Sequence, residues 1–283
     1  MIFRIGDKIQ LGGDDGAGGY ILQSPIEGIT SPAIRSADGV WAGRDGGYIS
    51  SQLYGFRTIT LTGAYIGKTC EQADKLRLGL MTNLGIRKLF PVFITNFSGE
   101  HYYTEAYVTD IKSDITGPLS GEWKMTLVCP DPIIYDGGDG IDANSAWFQY
   151  TFQKEKPGGY KVRTKYPVDW VEGNIASSVI NSGSVEIFPQ IILRGKFTNP
   201  KITNVTTGKF IKLQRTTSAS DEIIIDMNER IITLNGESIA SAKTIDSTWW
   251  NLLSGENRLL LETDSNLDTD FGVVKFKVGY EGI

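Results

Sequence analysis

Short runs in which apolar and polar residues alternate, separated by glycine-rich turns, dominate the chain. From Phe56 to Gly63 the alternation sets Ile59 and Leu61 on one face and Thr58, Thr60 and Thr62 on the other, the period of a half-buried strand. The period then changes. Ala73, Leu76, Leu80 and Leu84 recur at helical spacing, with Gly85 available as a stop, and this is the one convincing helix in the sequence. Strand patterns resume at Lys88 to Asn96, Tyr102 to Ser113 and Glu122 to Cys129, the first two joined across Phe97, Ser98 and Gly99.

Cys129-Pro-Asp-Pro132 marks a boundary, because neither proline carries a backbone donor and each restricts the residue before it. A glycine-rich stretch, Asp136 to Gly140, follows. Further strand patterns come at Val185 to Leu193, Phe210 to Gln214, Glu222 to Asp226, Ile231 to Leu234, Arg258 to Glu262 and Val273 to Tyr280, punctuated by Thr207-Gly208, Asn235-Gly236 and Ser254-Gly255. In the last strand Val274, Phe276, Val278 and Tyr280 share a face opposite Lys275 and Lys277, a pattern that a β-sandwich satisfies. Residues 143–183 alternate only weakly and read as strands plus an excursion from that sandwich. The expected fold is mainly β, with an N-terminal domain over 1–132 that carries one helix, and a C-terminal domain over 133–283 with a candidate arm at 143–183.

The 283 residues suffice for two domains with their own cores. A hydrophobic content of 40% and a net charge of −5 argue against a disordered chain, and the lack of a Lys/Arg run argues against a phosphate-binding surface for nucleic acid. No apolar run approaches the ~18 to 20 residues that span a bilayer. The first residues lack the pattern of a secretory leader, which predicts a chain made and folded in a cytoplasm. Cys70 and Cys129 stand far apart and read as two reduced, buried thiols. The single histidine, His101, leaves little room for His-based catalysis or zinc, and no cofactor is called for.

Four patterns suggest chemistry and have simpler explanations. Gly63-Ala-Tyr-Ile-Gly67-Lys68-Thr69 sits between strand and helix as a phosphate loop would, but it is one residue short, and Thr69-Cys-Glu-Gln72 reads as a capping box. Gly137 to Asn144 resembles one turn of a calcium-binding repeat, in a single copy. Asp221, Glu222, Asp226 and Glu229 could be imagined as a glycosidase pair, although turns carry such residues routinely. Trp249 and Trp250 are candidates for stacking on sugars, but neighbours in a strand face opposite ways, which places at least one in a core.

Several segments, in order, resemble the distal tail proteins of long-tailed, non-contractile (siphovirus) bacteriophages. In the N-terminal half these are Ser36-Ala-Asp-Gly39, Tyr54-Gly-Phe-Arg57-Thr-Ile-Thr-Leu-Thr-Gly63, the helix with Ala73, Asp74 and Leu80, and Leu127-Val-Cys-Pro-Asp-Pro132-Ile-Ile-Tyr135. The C-terminal half adds Phe188-Pro-Gln-Ile-Ile-Leu-Arg-Gly195, Asn204-Val-Thr-Thr-Gly208-Lys, Ile223-Ile-Ile-Asp226 and Ser247-Thr-Trp249-Trp250-Asn-Leu-Leu-Ser-Gly255-Glu-Asn257.

The resemblance implies a tail-tube-like first domain and a galectin-like sandwich. It implies a homohexameric ring, alone or stacked in pairs, at the distal end of the virion's tail, assembled in the bacterial host cytoplasm. Its partners would be the major tail tube protein, the tape measure protein, the tail-tip lysin protein and receptor-binding or baseplate proteins, with no membrane and no specific nucleic acid, although DNA passes through the ring. The work is assembly, not turnover. The loop from Ser36 to Gln52, with Trp41, Arg44 and Tyr48, is too long and apolar for a solvated turn and is the candidate contact with a neighbouring subunit. The alternatives are a cell-wall carbohydrate adhesin of β-sandwich type, for which Trp249 and Trp250 are the stacking candidates, and a carboxylate glycosidase.

Overall fold

The computed structural model describes residues 1–13, 18–85, 87–138, 147–153, 176–264 and 271–283. The chain divides into two compact units, one formed by Met1–Ala146 with Gly279–Ile283 and the other by Trp147–Val278. The second unit is therefore inserted into the first. The expected boundary at 132 differs from this division in residues 133–146 and in the last five.

The first unit runs β1 (Ile2–Ile5), β2 (Ile9–Leu11), β3 (Gly19–Glu27), β4 (Ile34–Arg35), β5 (Asp38–Val40), β6 (Gly47–Ile49), β7 (Leu53–Tyr54), β8 (Arg57–Ile66), α1 (Cys70–Asn83), β9 (Leu89–Thr95), β10 (His101–Ile115), β11 (Ser120–Cys129) and β12 (Ile134–Asp136). Its main sheet has the order β2-β1-β9-β10-β11-β8-β3, all neighbours antiparallel. Ile59 and Leu61 of β8, Met125 and Leu127 of β11, and Phe3 and Ile5 of β1 point to one core, which Ala73, Leu80 and Leu84 of the α1 segment help to fill. Period two in the strands and period 3.6 in the helix thus bury the same core.

Helix α1 starts where the capping box predicts. Thr69 Oγ1 accepts from the Gln72 amide at 3.1 Å, and Gln72 Oε1 reaches back to the Lys68 amide at 2.7 Å. Cys70, the first helical residue, is exposed, which corrects the expectation of two buried thiols; only Cys129 is buried. A first-turn position facing away from the sheet explains the difference.

The inserted unit contains β13 (Trp147–Gln153), β14 (Ser177–Asn181), β15 (Gln190–Arg194), β16 (Lys201–Asn204), β17 (Lys209–Lys212), β18 (Glu222–Asp226), β19 (Ile231–Leu234), β20 (Glu237–Ser238), β21 (Gly255–Glu262) and β22 (Phe271–Lys277). They form a six-stranded sheet, β13-β22-β15-β18-β19-β20, and a four-stranded sheet, β14-β21-β16-β17. One face of each is apolar and buried: Ile191, Leu193, Ile223, Ile225, Val274 and Phe276 in the first, and Val179, Ile202, Ile211, Leu259 and Leu261 in the second. Two sheets with one apolar face each bury those faces against one another.

Two strand expectations are corrected. The segment from Val185 is a strand only from Gln190, because Pro189 cannot donate to a ladder, and Ile187 keeps an isolated bridge to Leu252. The last strand does not run through to Tyr280. It ends at Lys277, and β23 (Gly279–Tyr280) leaves the inserted unit to pair with Ile134 and Tyr135 of β12.

Candidate functional site

Between β3 and β8 the first unit carries a two-tier arm. β4 pairs with β7, and beyond them β5 pairs with β6, each as a two-stranded ribbon outside the main sheet. Gly43 and Gly46, at φ 75° and 92°, make the tip turn, which the Trp41 amide closes on the Gly46 carbonyl at 3.2 Å. At the root, Gly55 donates to Ala33 at 2.6 Å.

All three candidate contact residues lie on this arm, and they meet one another. The Arg44 guanidinium sits 4.0 Å from the Trp41 ring centroid, and the Trp41 and Tyr48 rings are 5.3 Å apart at 59°. Tyr48 lies over Gly39, where an added Cβ would come within 2.4 Å of the ring. The trio therefore packs together on one face of the hairpin. Trp41 and Tyr48 remain 42% and 52% exposed.

Alternation puts Asp38, Val40 and Ile49 on the opposite face. Val40 is 88% and Ile49 68% exposed, and Ile34, Leu53 and Phe56 near the root are exposed as well. A lone ribbon is marginally stable in water, and so many exposed large apolar side chains make this arm a candidate interaction surface. The sequence reading named the aromatic face and missed the aliphatic one. Strict alternation through Gly39 and Gly47 was the signal that could have found it.

Also missed was Arg57, which is wholly buried at the start of β8. Its Nε donates to the Pro132 carbonyl at 2.6 Å, one Nη to that of Gly28 at 2.7 Å, and the other Nη to that of Glu281. Desolvation lowers its pKa, yet the guanidinium keeps its charge by binding three carbonyls from three distant segments. Asp131 explains the Asp-Pro-x-x-Tyr motif. Its carboxylate accepts from the Ile133 amide at 3.0 Å and from the Tyr135 hydroxyl at 2.6 Å, and burial, with the Asp131 charge, raises the Tyr135 phenol.

Trp249 and Trp250 do not form a platform. Trp250 is 1% exposed and belongs to the core, while the Lys243 ammonium stands 6.0 Å over the Trp249 ring. The four carboxylates serve turns and an ion pair. Asp221 accepts from the Ser218 amide and from Asn235 Nδ2, which lowers its pKa; Glu222 pairs with Arg194; Asp226 accepts from the amides of Asn228 and Glu229, and Glu229 from Asn228 Nδ2. In the phosphate-loop lookalike the amides of Gly67, Lys68 and Gln72 are already committed, to Leu119, Gln72 and Thr69. Of the calcium-like turn, residues 139–144 lie outside the described residues. So do 143–146 and 154–175 of the candidate arm at 143–183, whose described parts are β13 and β14 with its flanks.

Three comparisons bear on this arrangement. Residues 182–278 match the family described as siphovirus-type tail component, C-terminal domain. The distal tail protein of Bacillus phage SPP1 is 26% identical over 247 residues, which are 86% of this chain and 87% of that protein. Among solved structures, that of the SPP1 Dit protein, described as a paradigm of the hub adsorption apparatus in phages infecting Gram-positive hosts, superposes with a TM-score of 0.67 at 16% identity, covering 98% of this chain and 99% of that one. A chain of the phage P2 baseplate in its activated conformation aligns over 97% of both chains with a TM-score of 0.47 and 11% identity. Residues 182–278 thus match the C-terminal domain of siphovirus-type tail components, and the chain as a whole is similar in sequence to the distal tail protein of Bacillus phage SPP1 and shares the fold of the SPP1 Dit protein.

Proposed function

We propose that this protein is a structural ring component of a phage tail tip, a homohexamer, alone or stacked in pairs, that joins the tail tube to the tail-tip lysin protein. In this reading the first domain closes the ring, and the second, a galectin-like sandwich, faces outward as a hub for receptor-binding or baseplate proteins. The tape measure protein meets the same ring, and DNA passes through its centre without being bound. The protein acts in the virion at the distal end of the tail, after synthesis and assembly in the host cytoplasm, and it turns over no substrate.

The single observation that carries this reading is the likeness to a distal tail protein over 86% of the chain. The arm adds physical support. A closed ring of identical subunits needs a heterologous contact, in which one patch of each copy meets a different patch of the next. An apolar ribbon standing outside its own sheet is suited to be one of those two patches.

Light scattering on the purified full chain, followed by negative-stain imaging of the main peak, tests the proposal. The expected outcome is a mass of six copies or a multiple of six, with ring-shaped particles, reduced to monomers by Val40→Asp with Ile49→Asp. A strict monomer at every concentration tested would refute self-assembly into a ring. An assembly indifferent to those substitutions would leave the ring and remove the arm from it.

A further inference from the structure

Residues 279–283, which follow the inserted unit, belong to the first unit and reach the root of the arm. Gly279 and Tyr280 pair with Tyr135 and Ile134 of β12. Glu281 then meets two residues that flank the arm's exit: its backbone carbonyl accepts from Arg57, and its carboxylate from the Tyr54 hydroxyl of β7. Gly282 passes so close to Thr30 that an added Cβ would come within 1.7 Å of the Thr30 carbonyl oxygen, and the Ile283 amide donates to the Ile29 carbonyl at 3.0 Å. Residues 28–30 lead into the arm and 54–57 lead out of it. The last residues of the chain therefore touch both of its roots.

We infer that residues 279–283 are a latch that sets the position of the arm, with Glu281 and Arg57 as positioning residues. Among the described residues neither of the arm's ribbons pairs with the main sheet. Arg57 couples the two roots in one group, because the same guanidinium holds Gly28 on one side and Glu281 on the other. Withdrawal of the strap takes away one of its three carbonyls and deprives Tyr54 of its acceptor. The strap is also the direct covalent continuation of the inserted unit.

This inference rests on the arm being the ring contact only for its biological meaning. Its test does not need that. Amide hydrogen exchange of the full chain, resolved to the arm's bonded amides at Ala37, Trp41, Ser50 and Gly55, reads arm order directly. Glu281→Ala and Tyr54→Phe should each speed these amides about three- to tenfold, the scale of one lost hydrogen bond, and the two together no more than either alone. Glu281→Gln, whose side-chain carbonyl still accepts from Tyr54, should restore slow exchange. A chain ending at Val278 should exchange fastest, and because it also lacks a strand of the first unit's sheet the point variants decide the matter. Unchanged arm exchange in Glu281→Ala, or additive effects of the two substitutions, would overturn the latch and leave the ring untouched. A loosened arm in a fully assembled ring would keep the latch and remove the arm from the ring contact.

Discussion

Replacing Arg57 by leucine probes the buried guanidinium most directly. Three hydrogen bonds from a charged donor, to Gly28, Pro132 and Glu281, are lost at once. At about 1.5 to 3 kcal/mol each they amount to roughly 4 to 9 kcal/mol gross. Leucine also ends the desolvation of a buried charge, worth several kcal/mol, so the net loss should be about 1 to 5 kcal/mol. Against a domain stability of about 5 to 15 kcal/mol, that is a large fraction of what holds the first unit together. The assay is hydrogen exchange at increasing urea, with peptides from 1–138 and 279–283 compared with peptides from 176–264. Protection should fall in the first set and stay in the second, because every partner of Arg57 belongs to the first unit. Arg57→Lys should fall between, since a single ammonium cannot reproduce a planar fork reaching three carbonyls. A loss below about 1 kcal/mol for leucine, or a loss shared by the inserted unit, would refute the reasoning.

Two further outcomes follow from the first unit. Thr69→Ala removes the bond to the Gln72 amide and should cost about 1 kcal/mol, read as a lower urea midpoint for that unit with an unchanged slope; an unchanged midpoint would deny the cap its role. Burial raises the Tyr20 phenol to about 12 and raises those of Tyr103 and Tyr135 above their ordinary value of 10.0, so the folded state holds these protons more tightly than the unfolded chain does. Stability from this source is complete below pH 10 and is lost as pH rises through the folded values; absorbance at alkaline pH together with urea midpoints on either side of pH 10 should show phenols ionising late and the unit weakening.

The readable parts of the sequence were those in which the neighbours along the chain decide the structure. Alternation in Thr58 to Thr62 named a strand and its buried face, the stripe from Ala73 to Leu84 named the helix, and Thr69 with Gln72 named its first turn. Strands Glu222–Asp226 and Ile231–Leu234 were legible to the residue because Asn235-Gly236 closes the far end of the second and adopts the positive φ that such a turn requires. The likeness to distal tail proteins was legible in the order of short segments, each weak alone.

What the sequence could not supply depends on residues far apart in the chain. Val274, Phe276, Val278 and Tyr280 read as one continuous strand face, yet Tyr280 belongs to the other unit, because Ile134 offers a backbone partner that no local pattern announces. Cys70 looked like a core thiol and is exposed, since the sheet covers only one side of its helix. Trp41, Arg44 and Tyr48 were named from one loop, but their packing on one another, with Tyr48 over Gly39, comes from the pairing of the hairpin's two strands. Arg57 resembled any charge at a strand's edge. Only the fold brings the Gly28, Pro132 and Glu281 carbonyls around it, and a buried charge is tolerated only where distant segments supply its hydrogen bonds. Local periodicity set the elements and their buried faces; the meeting of the chain's last residues with the roots of the arm was decided by tertiary structure, because those contacts join residues more than 200 positions apart.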